Sequence, residues 1–385
     1  MESFIVFIIY LAVSLFVYNY FIYPLAIIFL SKLRVDPHLE NISEFSDYPK
    51  VSFIVAAYNE ELVIKQKIKN TLSLDYPKDK FEVIIVSDGS DDSTPDIVRE
   101  YSSDGIIGLH QSARQGKSAA LNRAVDCASG EIIVFSDANN DFSIDSIKML
   151  VKHFSDESIG AVTGAKHIYE NNDRQAASGD GLYWKYESSI KQAESSLGSI
   201  TGADGEILAL RKEMFKPIDQ SKINDDAAIT FDIIKSGHRM IYEKEAKAYE
   251  EASKDLIEDF NVKVRMTAGG FQTLSFEKKY LFPPTNWFSF TFISHKVLRW
   301  LAPHFLIIML FLPLFVLHRP EMLFFFLLQI SFYSLSLYGW LNRTRKLHSL
   351  FYIPMYFSSM NLALFYGFLR YINKNTETIW KKAER

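Results

Sequence analysis

Two kinds of hydrophobic pattern divide the chain. From Phe4 to Leu30 no residue is charged and most are apolar, a run long enough to cross roughly 30 Å of hydrocarbon as one tilted helix. Three more such runs lie near Leu301–Leu317, Met322–Leu341 and Leu350–Leu369. Between residues 36 and 280 charges are spread throughout, and apolar residues come in short bursts. Val51–Ala57, Phe81–Val86 and Glu131–Phe135 each read as a strand running into a polar cluster. The clusters are Ala56-Ala57-Tyr58-Asn59-Glu60, Ser87-Asp88-Gly89-Ser90 and Ser136-Asp137-Ala138-Asn139. Helical patterns over Leu62–Leu74, Thr94–Tyr101, Ser118–Ala128 and Ser143–His153 alternate with them. Strand–helix alternation predicts an α/β domain with a parallel sheet and crossover helices. Ligands of such sheets bind beyond the carboxyl ends of the strands, so the three clusters converge on one crevice.

The flanking charges orient the apolar runs. A cleaved signal peptide is the competing reading of the first run, but Glu2 precedes it, no basic segment does, and Lys32 and Arg34 follow it. A retained anchor over 1–31 is therefore expected. The cations place residue 32 onward in the cytoplasm, where Arg343, Arg345 and Lys346 between the last two runs also belong. With all four runs spanning, Arg370, Lys374, Lys381, Lys382 and Arg385 emerge outside, so either the tail is an exception or one run does not span. Leu281–Trp300, with Pro283, Pro284, Trp287, His295, Lys296, Arg299 and Trp300, reads as an interfacial segment or a plain juxtamembrane linker. The expected order is an anchor over 1–31, a cytoplasmic α/β domain over 32–275, an interfacial segment over 276–300, about three membrane helices over 301–370, and a basic tail over 371–385. This is the layout of a multi-pass protein of the cell (inner or plasma) membrane.

Composition narrows the partners. Hydrophobic residues make up 48% of the chain and aromatics 15%, high for a soluble protein and concentrated at the two ends. The formal charge of −4 comes with no basic stripe in the central domain, which argues against a nucleic-acid partner. The single cysteine, Cys127, excludes an intrachain disulfide and a thiolate metal cluster, and reads as a small buried residue on a helix.

The clusters carry candidate chemistry. Asp88 and Asp137 end strands, where one could hold the polar edge of a nucleotide and the other a divalent cation bridging its phosphates. Capping of the following helix is the plain structural alternative for either. Lys117, in Arg114-Gln115-Gly116-Lys117, opens a helix, so cation and helix terminus could act on one anion. The glycine spacing of a phosphate-cradling P-loop is missing, which argues against an ATPase or kinase. Asp137 and Asn139 offer oxygen ligands two residues apart, suited to magnesium or manganese. Thr201-Gly202-Ala203-Asp204-Gly205 precedes another apolar run, and Asp225 and Asp226 open a helix. The aspartate pair reads either as helix N-terminal charge or as the source of a general base that takes a proton from an acceptor hydroxyl.

In sequence, Val-Ala-Ala-Tyr-Asn-Glu at 55–60, Val-Ser-Asp-Gly-Ser-Asp-Asp-Ser-Thr at 86–94 and Gly-Lys-Ser-Ala-Ala-Leu-Asn at 116–122 make the chain resemble family 2 glycosyltransferases over about residues 50–275. That group includes cellulose, chitin, hyaluronan and poly-N-acetylglucosamine synthases. The resemblance implies an α/β GT-A (Rossmann-like) fold, a UDP- or other nucleotide-sugar donor, a divalent cation (Mg2+ or Mn2+) and inverting transfer. By position, Ala57, Tyr58 and Glu60 would lie beside the nucleoside, Asp88 at the base or ribose, and Lys117 near the diphosphate. Asp137 matches the first aspartate of the Asp-x-Asp metal motif, and Asp226 the last residue of the Thr-Glu-Asp base motif, with Asp225 beside it. Asn139 departs from the second metal aspartate. Lys263-Val264-Arg265-Met266 departs from Gln-x-x-Arg-Trp, keeping Arg265 but placing Met266 where tryptophan would stack on the acceptor. Asp204, Arg265 and Trp184 are the candidates for acceptor or phosphate contacts, with Trp300 a further possible platform. Acceptors implied are a growing glycan or a lipid-linked sugar at the membrane lipid, and single-sugar addition to a lipid carrier competes with polymerisation. A reading from another class is an inactive, membrane-tethered subunit within an oligomer or envelope-polysaccharide assembly.

Overall fold

The computed structural model describes residues 1–34, 47–169, 175–251, 256–345 and 347–374, without the side chains of 175–183. Lys346, and Lys381, Lys382 and Arg385 of the expected basic tail, lie outside the described residues. The chain divides into two compact units: one is built mainly from 28–170 and 180–252, the other from 1–27 and 253–376.

The first unit is organised by eight strands: β1 (Val51–Ala57), β2 (Phe81–Asp88), β3 (Ile106–Gln111), β4 (Ile132–Asp137), β5 (Asp141–Phe142), β6 (Ile159–Ile168), β7 (Ile207–Arg211) and β8 (Arg239–Glu250). They form one sheet in the order β3-β2-β1-β4-β7-β6-β8-β5. The first three expected strands are present, each within two residues of its reading. Along β1 the side chains alternate between two cores. Phe53 and Val55 pack with Ile64 and Ile68 of the helix Ile64–Leu72 and with Ile147 and Leu150 of the helix Ser146–Val151. Ile54 faces Ala120, Leu121 and Ala124 of the helix Lys117–Cys127 and Ile229 and Ile233 of the helix Asp225–Lys235. Burial on both faces is why these strands read as continuous apolar runs. Cys127 does lie on a helix, but it is exposed; it ends the amphipathic helix Lys117–Cys127, whose buried residues stop at Val125.

The expected parallel sheet is correct for β1 with β2 and β4, and for β2 with β3, whereas β7 runs antiparallel to both β4 and β6. Ile207–Leu210 is buried throughout, and an all-apolar strand carries no periodicity from which direction could be read. The reversal has a geometric consequence. Since β6 is antiparallel to β7 and parallel to β8, β6 and β8 run with β4. The carboxyl ends of β1, β2, β4, β6 and β8 and the amino end of β7 therefore lie along one edge of the sheet.

Among the described residues, Glu2–Leu33, most of which belongs to the second unit, and Trp287–Val316 and Pro320–Leu341 within it are helices long and apolar enough to cross a membrane. The first carries a π-helical turn at Tyr18–Ile22, directly before Pro24. Proline lacks an amide hydrogen and crowds the carbonyl four residues back, and a wider turn relieves both. The expected interfacial segment is divided differently. The helix Leu256–Leu281 runs through the expected boundary at 275 and belongs with the second unit, while Trp287 and Trp300 lie within the 30-residue helix Trp287–Val316. The fourth apolar run forms the helix Ser349–Ile372, which is not among the three apolar enough to span. It carries Ser358, Ser359 and Asn361 in its middle and backs closely onto Leu256–Leu281: a Cβ on Gly367 would stand 2.6 Å from Thr267 Cβ.

Candidate active site

The first unit's functional side chains line the sheet edge just defined. At the end of β2, Asp88 is 4% exposed, and its Oδ2 accepts hydrogen bonds from the amides of Gln115 (2.9 Å) and Gly116 (2.6 Å). Its Oδ1 accepts one from Arg123 Nη2 at 2.8 Å. Gly89, with φ +72°, lets this loop approach, since a Cβ there would lie 2.5 Å from Arg114 Cβ. Asp88 thus fixes residues 114–116 at the entry of the helix that Lys117 opens. Arg114 lays its guanidinium 3.5 Å from the ring centroid of Tyr58. Ala57 pairs in register with Ser87, and the Glu60 amide donates to Thr94 Oγ1 at 2.8 Å. Asn59 exchanges two hydrogen bonds with Asp91, so the first two polar clusters form one rigid rim.

Lys117 joins that rim to the next strand end. Its Nζ lies 2.6 Å from Asp137 Oδ1 and 3.8 Å from Asp225 Oδ2. Burial acts against the ammonium, but Asp137, Asp225 and Asp226 outweigh it and raise its pKa. Burial also opposes ionisation of Asp137, and Lys117, Lys166 and Lys67 overcome this to hold its pKa below the ordinary value. Asp226 differs. Burial, then the neighbouring charge of Asp225, push its carboxyl up to about 6, against the hydrogen bond from the Ala227 amide and the pull of Lys117. Its Cβ lies 3.3 Å from where a Cβ on Gly205 would stand, so the 201–206 loop abuts the start of the helix Asp225–Lys235.

Along the same edge, Asp204 Oδ1 accepts from Lys191 Nζ at 2.6 Å. Lys166, near the end of β6, pairs with Glu206 at 3.0 Å and with Glu250 at the end of β8. Burial pushes the Glu206 carboxyl up to about 7, Lys166 opposes this, and Glu250, Asp204 and Asp137 add to the rise. Trp184 has Lys166 Nζ 5.0 Å and Lys191 Nζ 5.9 Å from its ring. The Asn139 amide Nδ2 donates to Glu250 Oε2 at 3.4 Å.

Ala57, Tyr58, Glu60, Asp88, Lys117, Asp137, Asn139, Asp204, Asp225, Asp226 and Trp184 thus all belong to the first unit. Arg265 belongs to the second, on the helix Leu256–Leu281. Sequence reading misses Lys166, Lys191, Glu206, Glu250, Arg114 and Arg123 as members of the site. A signal for Lys166 and Glu250 exists, since each lies at the carboxyl end of a strand, but neither β6 nor β8 stands out in the apolar pattern. Among the described residues no group of three or more His, Cys, Asp and Glu side chains is arranged to hold a metal. Asp137 Oδ1 is paired with Lys117 and Asn139 Nδ2 with Glu250, so a hard cation held by the expected pair would draw on Asp137 Oδ2 and Asn139 Oδ1, the oxygens outside these two contacts.

The sheet edge of this α/β domain thus gathers a helix-opening lysine, an ion-paired strand-end aspartate and a second aspartate with a raised pKa. Residues 52–218 match the model of Glycosyl transferase family 2, and this region is a family 2 glycosyltransferase domain of GT-A fold. The chain is 32% identical over 190 residues to a beta-monoglucosyldiacylglycerol synthase from Nostoc sp., covering 48% of this chain and 41% of that protein. It is 26% identical over 237 residues to a poly-beta-1,6-N-acetyl-D-glucosamine synthase from Staphylococcus epidermidis, covering 60% of this chain and 57% of that protein. The chain thus spans about half the length of these curated relatives. The fold is shared with a mannosyltransferase from Pyrobaculum calidifontis solved with GDP-Man and Mn2+, at TM-score 0.71 and 22% identity, over 95% of this chain and 99% of that one.

Proposed function

We propose that the chain is a membrane-bound inverting glycosyltransferase that moves a sugar from a nucleotide sugar to a glycan or lipid-linked acceptor. The observation that carries this reading is Asp226. A carboxyl held near 6 by burial and Asp225, at the edge where Lys117 meets Asp137, is suited to take a proton from an attacking hydroxyl at neutral pH. Lys117, at a helix N-terminus, would hold the departing diphosphate. Tyr58, covered by Arg114, would border the nucleoside together with Ala57 and Glu60. Asp88 would act from behind by fixing the loop that carries Arg114 and Lys117. Asp204, Glu206, Lys166, Lys191 and Trp184 would offer hydroxyl partners and one aromatic face to the sugars. Asp137 and Asn139 would hold a divalent cation, which supplies positive charge to the leaving diphosphate.

The donor class is UDP-sugar on the family resemblance, and the Pyrobaculum mannosyltransferase, solved with GDP-Man, adds GDP-mannose to the panel. For the acceptor, the relative named for glucosyldiacylglycerol synthesis supports a lipid, and the one named for poly-N-acetylglucosamine supports a polymer. Met266 in place of a stacking tryptophan favours short products. The test is release of nucleoside diphosphate from UDP-glucose, UDP-N-acetylglucosamine and GDP-mannose by the detergent-solubilised full chain, compared with Asp226→Asn. Release by the parent and loss in the variant is expected, and a parent inert to every donor overturns the reading. Chain-length analysis of radiolabelled product separates one added sugar from a ladder.

A further inference from the structure

Lys67 is buried, with 1% of its surface exposed, in the middle of the helix Ile64–Leu72. Its ammonium donates to the backbone oxygen of Asn140 at 2.8 Å and to Asn140 Oδ1 at 2.7 Å. It also lies 5.3 Å and 4.6 Å from the ring centroids of Phe53 and Phe142. Burial lowers its pKa to about 7, against the pull of Asp141 and Asp137. A buried ammonium with no carboxylate in hydrogen-bond contact is costly. The helix does not need it as an attachment. Asn70 already exchanges two hydrogen bonds with the Phe142 backbone, and Gln66 donates to Asp141.

What Lys67 holds is a hub. Asn140 Oδ1 also accepts from Ser136 Oγ at 2.9 Å, and Asn140 Nδ2 donates to the backbone oxygen of Glu206 at 2.9 Å. One side chain therefore connects the turn that presents Asp137 and Asn139 with the loop that carries Asp204 and Glu206 and abuts Asp226 at Gly205. We propose that Lys67 is a positioning residue that, through Asn140, locks this turn and this loop into a single geometry for the reaction. The inference rests on reading the edge as a transferase site. Without the ammonium, Asn140 keeps its room to rotate, and both segments loosen together although the sheet beneath them is unchanged.

Lys67→Met keeps the volume and removes the charge. In the full chain in detergent, the variant should melt no lower than the parent. Amide hydrogen exchange should quicken about tenfold or more at 137–141 and 203–207 while β1 is unaffected. Nucleoside diphosphate release from the donor panel should fall roughly tenfold or more in kcat, with donor KM nearly unchanged. Exchange unaltered at either segment, or parental turnover, overturns the proposal. If the parent proves inert to all donors while exchange still quickens at both segments, the lock stands and the transferase reading falls. Should Lys67→Met fail to fold, Asn140→Asp decides. It keeps an acceptor for Lys67 and Ser136, puts a carboxylate oxygen where the donor to Glu206 was, and adds a charge that pairs with the Lys67 ammonium. Faster exchange confined to 203–207 with reduced turnover supports the proposal, and parental turnover removes it.

Discussion

Single residues at the sheet edge are set by neighbours that sequence spacing does not display. Asp88, Lys117, Asp137 and Asp226 were legible because each lies in a motif at a strand or helix end. The raised pKa of Asp226 was not, because it depends on burial and on Asp225 within the folded loop. Two outcomes follow from that raised value. A base must be ionised, so kcat/KM should fall about tenfold per pH unit below about 6 and level off above it, and Asp226→Asn should lose roughly 10²–10⁴-fold on that plateau and less below it. A pH–rate profile of the parent checks the first, and an acid limb starting near 4 instead would remove Asp226 from the role. Stability runs the other way. With a folded pKa of about 6 above its unfolded value, the carboxyl destabilises the fold increasingly as pH rises from about 4 to about 6. Asp226→Asn should therefore melt higher than the parent at pH 7–8, and the gain should vanish below about pH 4. A variant that melts lower at neutral pH would mean the carboxylate has a stabilising partner instead.

At the level of elements, β1, β2 and β4 with their polar ends were readable, and β3 and the four strands after β4 were not. β7 is too uniformly buried to show direction, β5 has two residues, β6 carries Lys166 near the end of an apolar stretch, and β8 is interrupted by charges from Glu243 onward. Glu243 shows why those charges are tolerated. In β8, its Oε2 lies 2.6 Å from His153 Nε2 and 2.8 Å from Lys152 Nζ. Burial opposes its ionisation, yet the hydrogen bonds from His153 and Lys152 hold its pKa at about 2. A depressed carboxylate stabilises the fold above its unfolded pKa, and that contribution disappears as pH falls through the folded value. Glu243→Gln should lower stability by about 2 kcal/mol at pH 7. The deficit should shrink from about pH 4 down to about pH 2. Urea unfolding at both pH values measures it, and a deficit independent of pH would show that packing, not ionisation, carries the effect.

For the whole molecule, hydrophobic runs were readable as helices but not as spans. Leu350–Leu369 looked like a fourth crossing because length and apolar content are what a sequence displays. In the fold, Ser359 and Asn361 are buried within the unit and Gly367 is pressed against Thr267, a packing that a spanning and a non-spanning helix can share. If only Glu2–Leu33, Trp287–Val316 and Pro320–Leu341 cross, most of the flanking cations would fall on one side, as the positive-inside rule requires. On that reading Lys32 and Arg34 would begin the cytoplasmic side, the short turn at His318–Arg319 would face out, and Arg343 and Arg345 would return inside. Arg370 would then stay on that same side, whereas four crossings would carry it outside. Single cysteines placed at 344 and at 380, in a chain with Cys127→Ser because that thiol is exposed, should both resist a membrane-impermeant maleimide in intact cells. Both should react after permeabilisation, whereas a cysteine at 318 should be labelled from outside. Labelling at 380 in intact cells would restore the fourth crossing and place the tail across the membrane from the catalytic unit.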